Sequence, residues 1–200
     1  MGDSDSARYR RPSFCDWLSR RGLAARGFTL MELLITLTVA GILIAIAMPA
    51  FSSFVQDTRL SNEANTLVYD LNLARSDAVK FDTAVQVCAS TDQTTCAGAG
   101  TWAPGWVVLC PAACPPDLGG SPALLRVAPP LNTGNTADEA SGAVSVSFAA
   151  TGQTGGGNLQ FVFCDRRGAA YARDVEINAI GEITSSTTPG QSVAGVALGC

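Results

Sequence analysis

Seven cysteines and no histidine limit the chemistry open to this chain of 200 residues. Without histidine the commonest general base is missing, which excludes Ser-His-Asp and Cys-His catalytic systems. Cys15 lies in an Arg-rich N-terminal segment, and six cysteines follow it: Cys88, Cys96, Cys110, Cys114, Cys164 and Cys200. An even number of cysteines in a Gly- and Thr-rich region behind an apolar segment predicts three disulfides. Reduced cysteines acting as small apolar residues, and a zinc site that includes the Cys110-x-x-x-Cys114 pair, are the alternatives.

Sequence alone leaves open which of the fifteen arrangements of six cysteines the chain adopts. Local spacing gives a preference. Cys88 and Cys96 flank a turn-like segment, and Cys110 and Cys114 flank a short loop that must turn sharply for the two sulfurs to meet. The remaining pair, Cys164 with the last residue, Cys200, would tie down a chain end that otherwise frays.

Acidic side chains are the other groups that could support catalysis, and their pattern does not indicate an enzyme. Asp138, Glu139 and Asp165 could be imagined as a carboxylate site, but the sequence places no other catalytic group beside them. Carboxylates in loops are usually solvated. We therefore predict no catalytic residue, no metal site and no cofactor.

One carboxylate is unusual, because Glu32 lies at the start of the apolar segment 28–51. A segment of 24 residues is long enough to cross a membrane as a helix. A charge near such a helix costs several kcal/mol unless it is paired, so Glu32 is a candidate functional residue. Ala45–Ile46–Ala47 also resembles a cleavage site of a conventional secretory signal, but Glu32 interrupts the apolar run, which is moreover too long for that signal.

The charge before this segment predicts its orientation. Residues 1–27 carry six Arg and three Asp, whereas residues 28–200 carry seven basic and fourteen acidic side chains. Arginines next to a membrane helix favour the cytoplasmic side, so the bulk of the chain is expected outside the cytoplasm. The same acidic balance disfavours nucleic-acid binding, because non-specific binding to phosphate backbones is mostly electrostatic.

The helical pattern continues beyond the apolar segment. Six apolar residues recur at steps of three and four and form a stripe that we expect to pack on a sheet: Leu60, Ala64, Leu67, Leu71, Ala74 and Ala78. Charged residues, among them Glu63 and Asp70, are expected on the other faces. Pro49 is expected to kink or open the helix locally, because proline removes a backbone donor.

After residue 82 the pattern changes to short β-type runs separated by turn residues. Seven strands are predicted, at 84–89, 105–110, 124–128, 144–148, 159–164, 174–178 and 180–184. Polar residues alternate with apolar ones in several of these runs, which is typical of an antiparallel sheet with one covered face. The chain is thus predicted to be an α+β protein with a long N-terminal helix packed on an antiparallel sheet.

The string Arg26–Gly27–Phe28–Thr29–Leu30–Met31–Glu32 closely resembles the type IV prepilin signal. The resemblance implies that prepilin peptidase cuts between Gly27 and Phe28 and methylates the Phe28 amine. It implies that Glu32 pairs with the Phe28 amine of a neighbouring subunit during filament assembly. It also implies that the helix loosens at Gly41 and Pro49 when the filament assembles.

Later segments narrow the resemblance to the FimT/FimU and GspH group of minor pilins and pseudopilins. The most specific ones are Leu73-Ala-Arg-Ser76 and Gly105–Trp106, and Phe163-Cys-Asp-Arg-Arg-Gly168 is also similar. The resemblance implies a leader at 1–27, a transmembrane helix at 28–51, an amphipathic helix at 52–80 and a disulfide-bonded periplasmic head at 81–200. The protein would be a single-pass protein of the inner membrane that later enters the filament.

Three functions within this group remain open. A FimU-like protein would join the priming or tip complex of the type IV pilus, with other minor pilins and the major pilin as partners, and Cys164 with Cys200 would form its C-terminal disulfide. A GspH-like protein would belong to the type II secretion pseudopilus. A FimT-like protein would bind DNA through a Gly-Arg-x-Arg motif, but the corresponding stretch, Gly181-Glu-Ile-Thr184, lacks both arginines, so DNA binding is not expected.

Overall fold

The computed structural model describes residues 27–98, 100–112 and 114–200. The predicted leader up to residue 26, including Cys15, lies outside the described residues. One long helix, α1, runs from Leu30 to Phe81 and remains helical through Pro49. The chain divides into two compact units, one ending at Met48 and the other running from Pro49 to Cys200.

The described part of the first unit is the apolar beginning of α1. Its large side chains are exposed, from Leu30 (78% exposed) to Met48 (64% exposed). This stretch is long and apolar enough to cross a membrane, by length and composition. Apolar residues on every side of a helix are typical of a segment surrounded by lipid or by other subunits.

The second unit contains the end of α1 and eight strands. The strands are β1 (Val85–Ala89), β2 (Trp106–Cys110), β3 (Ala123–Ala128), β4 (Thr136–Glu139), β5 (Ser145–Phe148), β6 (Leu159–Cys164), β7 (Arg173–Ile177) and β8 (Ile183–Ser185). Two short 3₁₀ helices, Pro116–Leu118 and Ala169–Tyr171, lie in the connections. The α+β fold with a long N-terminal helix and antiparallel strands is therefore confirmed.

The strands form two antiparallel sheets of four. The orders are β3-β2-β1-β5 in the first sheet and β4-β6-β7-β8 in the second. The sequence pattern predicted a single sheet, which is wrong. Alternation within a strand reveals which of its faces is covered, but it carries no information about which strands pair.

The predicted stripe on α1 is confirmed as part of the core. All six of its residues are at most 5% exposed, and they pack in one cluster with residues from both sheets. Strand β2 is buried along its whole length, because it is the central neighbour of β1 and β3 and has covered faces on both sides. The helix thus provides the surface against which the two sheets of the head are assembled.

Trp102 and Trp106 link the two sheets at the centre of this core. The Trp102 ring packs edge-on against Phe161 of β6, with ring centres 4.9 Å apart, and lies 6.4 Å from the Trp106 ring. Its backbone N–H donates to the carbonyl of Ala137 in β4, and its indole N–H donates to the carbonyl of Ala143. A loop residue before β2 is therefore bound to the second sheet, with its polar group satisfied.

Candidate assembly site and the head that presents it

The described residues of the prepilin-like string, 27–32, lie at the start of α1. Gly27 and Phe28 are exposed and precede the helix. Thr29 caps it: its side-chain oxygen accepts a hydrogen bond from the backbone N–H of Glu32, at 3.2 Å. A Thr followed three residues later by Glu is a recognised helix start, so these residue types suit the first turn. Glu32 lies in that turn, where the helix dipole favours a negative charge.

The two residues expected to loosen the helix occupy ordinary helical positions. Gly41 lies in the exposed apolar part of α1, and a Cβ atom built there would meet nothing within 4 Å. Pro49 begins the second unit and lies within the helix. Their role in filament assembly remains a prediction.

Two carboxylates on α1 are buried, although the sequence pattern placed them on other faces. Glu63 is 8% exposed and holds the loop between β3 and β4. It accepts hydrogen bonds from the backbone and side chain of Asn132, at 2.8 and 2.6 Å, and from the side chain of Asn135, at 2.7 Å. Glu63 is three residues after Leu60 and four before Leu67, so it borders the apolar stripe and becomes covered with it.

Asp70 is the second buried carboxylate and is fully covered. Its Oδ2 accepts a hydrogen bond of 2.8 Å from the indole N–H of Trp106, and its Oδ1 forms an ion pair with Arg126. Burial raises the pKa of Asp70, and the Trp106 and Arg126 contacts counteract part of that rise. Asp70 therefore joins α1 to β2 and β3 of the first sheet.

Arg167 joins a loop of the head to α1 near the start of the second unit. Its guanidinium binds Asp165 and Asp57, with Nη2–oxygen distances of 2.6 and 2.8 Å, and packs against the Tyr171 ring. It also donates to the Ser53 carbonyl, at 3.4 Å. Burial alone would raise the pKa of Asp165, but hydrogen bonds from Arg167 hold it below its usual value. The loop between β6 and β7 is thereby attached to the first turns of α1 after Pro49.

Arg75, within the Leu73-Ala-Arg-Ser76 stretch, attaches the turn between β7 and β8. Its side chain donates to the carbonyls of Gly152 and Ile180, at 3.1 and 3.4 Å. Gly181 follows in this turn with φ +79°, and any Cβ there would overlap the Gly152 carbonyl. The stretch aligned with the DNA-binding motif is therefore a tightly packed structural turn, in which the nearby arginine is already bound to backbone.

The disulfides coincide with the pairing that local spacing favoured: Cys88–Cys96, Cys110–Cys114 and Cys164–Cys200. The third bond attaches the last residue to the end of β6, and its two cysteines have a sequence separation of 36. The tail that it fixes folds back on itself, since Ser192 donates to the Val196 carbonyl at 2.8 Å. The tail and the outer face of the second sheet enclose a cleft of about 930 Å³.

Two carboxylates of β7 lie beneath this tail. The backbone N–H of Val193 donates to both Asp174 and Glu176, at 3.1 and 3.2 Å. Burial, together with the neighbouring Glu176, raises the pKa of Asp174 to about 6. Because the buried Asp174 is the group whose pKa is raised, this contact depends on pH.

The three carboxylates named above as a conceivable catalytic site lie in different surroundings. Glu139 is buried rather than solvated in a loop: burial alone would raise its pKa, but hydrogen bonds from Ser141, Ala143 and Gln160 lower it overall. Asp165 is bound to Arg167. Asp138 is exposed, facing the cleft beneath the tail. Among residues 27–98, 100–112 and 114–200, no cluster of three or more His, Cys, Asp or Glu side chains could hold a metal ion.

Comparison with known proteins finds matches both for the N-terminal motif and for the head. Residues 63–181 match the family described as type II transport protein GspH, and residues 23–48 match the prokaryotic N-terminal methylation motif. A crystal structure of the type IV minor pilin FimU from Pseudomonas aeruginosa is 26% identical, with a TM-score of 0.53 over 66% of this chain and 98% of FimU. A second crystal form of FimU, at 24% identity and a TM-score of 0.54, covers 70% of this chain and 98% of FimU. No curated protein sequence matches the chain.

The helix, the two antiparallel sheets and the methylation motif define a type IV pilin fold of the minor pilin or pseudopilin class. The chain belongs to the GspH family, because the match covers more than half of its residues. It is a minor pilin or pseudopilin of the FimU/GspH group. The family is structural, and its members act with other pilins and with the pilus assembly machinery.

Proposed function

We propose that this protein is a minor pilin of the type IV pilus that acts in the priming or tip complex. The observation that carries the proposal is the likeness to FimU over 98% of the FimU chain, at 26% identity. The bond between Cys164 and Cys200 adds to it, because a C-terminal disulfide is expected of a FimU-like head. The partners would be the other minor pilins and the major pilin.

The start of α1 would serve assembly. Prepilin peptidase would remove residues 1–27 by cutting after Gly27, and would methylate the amine of Phe28. Glu32 would then pair with the Phe28 amine of a neighbouring subunit, which offsets the cost of a carboxylate among apolar surroundings. Phe28 is 77% exposed and Glu32 is exposed as well, so both are accessible to a second subunit. Gly41 and Pro49 would let the helix loosen in the filament.

As a minor pilin, the protein would cross the membrane once. Residues 28–51 would span the inner membrane, residues 52–80 would carry the head, and the β-rich part at 81–200 would lie in the periplasm. An oxidising compartment is consistent with three disulfides in one small head. We propose no enzymatic activity and no cofactor.

A pseudopilin of type II secretion is the second candidate, favoured by the description of the matched family as a type II transport protein. Deletion of the gene in its host distinguishes the two candidates. The pilus proposal predicts loss of surface pili with normal protein secretion, and return of pili when the intact gene is restored. Normal piliation with a secretion defect would favour the pseudopilin.

DNA uptake is the third candidate, and we propose that the protein does not bind DNA. The turn at Gly181 carries Glu182 where the motif requires arginine, and Arg75 beside it is bound to carbonyls. The full chain in a neutral detergent is expected to bind duplex DNA only at background level at physiological salt. A sub-micromolar, salt-sensitive shift in a gel assay would instead support the DNA receptor.

A further inference from the structure

Two arginines in the second unit border one small cleft. Arg59 on α1 and Arg166 in the β6–β7 loop are both exposed. They line a cleft of about 230 Å³ whose remaining wall is polar: Gln56, Asn132, Thr133, Asn135 and Asp165. Within the described part of the chain, neither guanidinium has a hydrogen-bonded or ion-paired partner.

The acidic groups around the cleft are already bound elsewhere. Asp57 and Asp165 both contact Arg167, and Glu63 accepts its hydrogen bonds from the amides of Asn132 and Asn135. The guanidiniums of Arg59 and Arg166 therefore face a polar pocket whose carboxylates already accept hydrogen bonds from Arg167 or from asparagine amides. Guanidinium groups bind phosphate oxygens in a two-point geometry, so the pocket suits an anionic phosphate group.

The pocket is held in shape before any ligand arrives. Arg167 fixes the loop that carries Arg166, through its bonds to Asp57 and the Ser53 carbonyl. The Arg166 side chain lies across Gly134, since a Cβ atom there would be 2.5 Å from the Arg166 Nε. A loop that is already fixed loses less entropy when a ligand binds, so the Arg166 side of the pocket is prepared for a ligand.

The distance along α1 places this pocket near a membrane surface. Arg59 follows Phe51, the last residue of the predicted membrane segment, by eight positions, or about 12 Å along a helix. Helical side chains lean towards the N-terminal end, which here is the membrane end. The headgroup layer extends roughly 5–7 Å beyond the hydrocarbon on each side, within reach of a long arginine side chain. Phe54 (65% exposed) and Tyr171 (41% exposed) add aromatic rings of the kind found at membrane interfaces.

We propose that Arg59 and Arg166 bind the phosphate of an anionic phospholipid headgroup and thereby seat the head on the outer surface of the inner membrane. This inference rests on the membrane placement given under the proposed function. An anionic lipid is the expected occupant, because, unlike a zwitterionic lipid, it brings no cationic group of its own to face the two guanidiniums. The head as a whole is acidic, so this contact would be local rather than a general attraction to the membrane.

The test measures lipid binding to the full chain in an uncharged detergent by native mass spectrometry, with dihexanoyl phosphatidylglycerol as the probe. Arg59→Gln and Arg166→Gln are each expected to weaken binding about fivefold, since one basic residue near a membrane surface contributes roughly that factor. Arg59→Lys should lose part of the binding, because an ammonium keeps the charge but cannot make the two-point contact. The matched control is Lys80→Gln, which removes the same charge from an exposed residue at the far end of α1. Melting curves for every variant establish that the head remains folded.

Further binding measurements distinguish a lipid phosphate from a free phosphate ester. Dihexanoyl phosphatidylcholine should bind more weakly than phosphatidylglycerol, and glycerol phosphate should bind more weakly still, because it lacks acyl chains. Equal phosphatidylglycerol binding in all variants would overturn the proposal, as would equally tight binding of glycerol phosphate. Duplex DNA that binds with the same dependence on both arginines would reassign the site to nucleic acid. Surface pili of the Arg166→Gln strain are counted in a separate experiment. A loss of lipid binding can therefore be told apart from a loss of the pilus function.

Discussion

The two parts of helix α1 bury their apolar residues in different ways. Before Pro49 the apolar side chains point in every direction and are exposed, as with Ile42 and Ile46, at 62% and 71%. From Leu60 onward one stripe of apolar residues is buried, and Leu67 and Leu71 are fully covered by the sheets. An apolar surface without a stripe has no single partner inside its own chain, so the first part is built for lipid or other subunits and the second for its own head.

The same contrast appears in the carboxylates of the two parts. Glu32, in the first, is exposed, and its proposed partner comes from another subunit. Glu63 and Asp70, in the second, are buried and have partners within the head: amides for Glu63, and Trp106 with Arg126 for Asp70. Substitutions in the first part should therefore affect assembly, and those in the second should affect the stability of the head.

Glu32→Ala tests this contrast most strongly. We expect the variant to insert in the membrane and to keep a head of unchanged melting temperature, but to enter filaments at least roughly tenfold less, because an uncompensated amine then remains in apolar surroundings. Immunoblots of sheared filaments against membranes measure the ratio. Asp138→Ala, which removes an exposed carboxylate from the head, is the control and should incorporate normally. If Glu32→Ala entered filaments at the normal level, Glu32 would have no role in filament assembly.

Cys200→Ser should cause the largest loss of stability within the head. Its bond with Cys164 closes the longest loop, 36 positions against 8 for Cys88–Cys96 and 4 for Cys110–Cys114. Chain entropy then predicts a loss of about 4 kcal/mol, against about 2–2.5 kcal/mol for Cys96→Ser or Cys114→Ser. Thermal unfolding of the three variants provides the ranking. Equal losses in all three would show that loop length does not determine the stabilisation.

Asp70→Ala is expected to cost about 3 kcal/mol of folding free energy. It leaves the buried Trp106 N–H without an acceptor and Arg126 without its ion-pair partner. Asp70→Asn should lose less, because an amide oxygen can still accept from Trp106. Denaturant unfolding measures both variants, and filament entry of either variant in its folded form should remain normal. A loss of incorporation without a loss of stability would contradict the division between the two parts of the helix.

The smallest expected effect concerns the pH dependence of the tail contact. Folding raises the pKa of Asp174 from its ordinary value near 4 to about 6, so between these values the folded head binds more protons than the unfolded chain. Stability from this group should therefore fall as pH rises through 6, by about 1 kcal/mol between pH 5 and pH 7.5. Asp174→Asn should abolish that slope. Denaturant unfolding at the two pH values measures it, and an unchanged slope in the variant would assign it to other groups.

Local patterns in the sequence predicted much of this molecule. The stripe on α1 was visible because its period is that of a helix, and the disulfide pairing followed from short spacings and a free chain end. Strand β4 (Thr136–Glu139) was missed, because four residues with one apolar side chain carry no β-type signal. The burial of Glu63 and Asp70 was missed for another reason: their partners, such as Asn132 and Trp106, are distant in sequence.

We propose that the chain is processed as a prepilin and enters a filament through its new N-terminus. Mass spectrometry of the protein recovered from sheared filaments tests it most directly. The expected mature chain begins at Phe28 with a methylated amine and contains three disulfides. A chain that begins at Met48, one that retains residue 1, or complete absence from the filament fraction would contradict it.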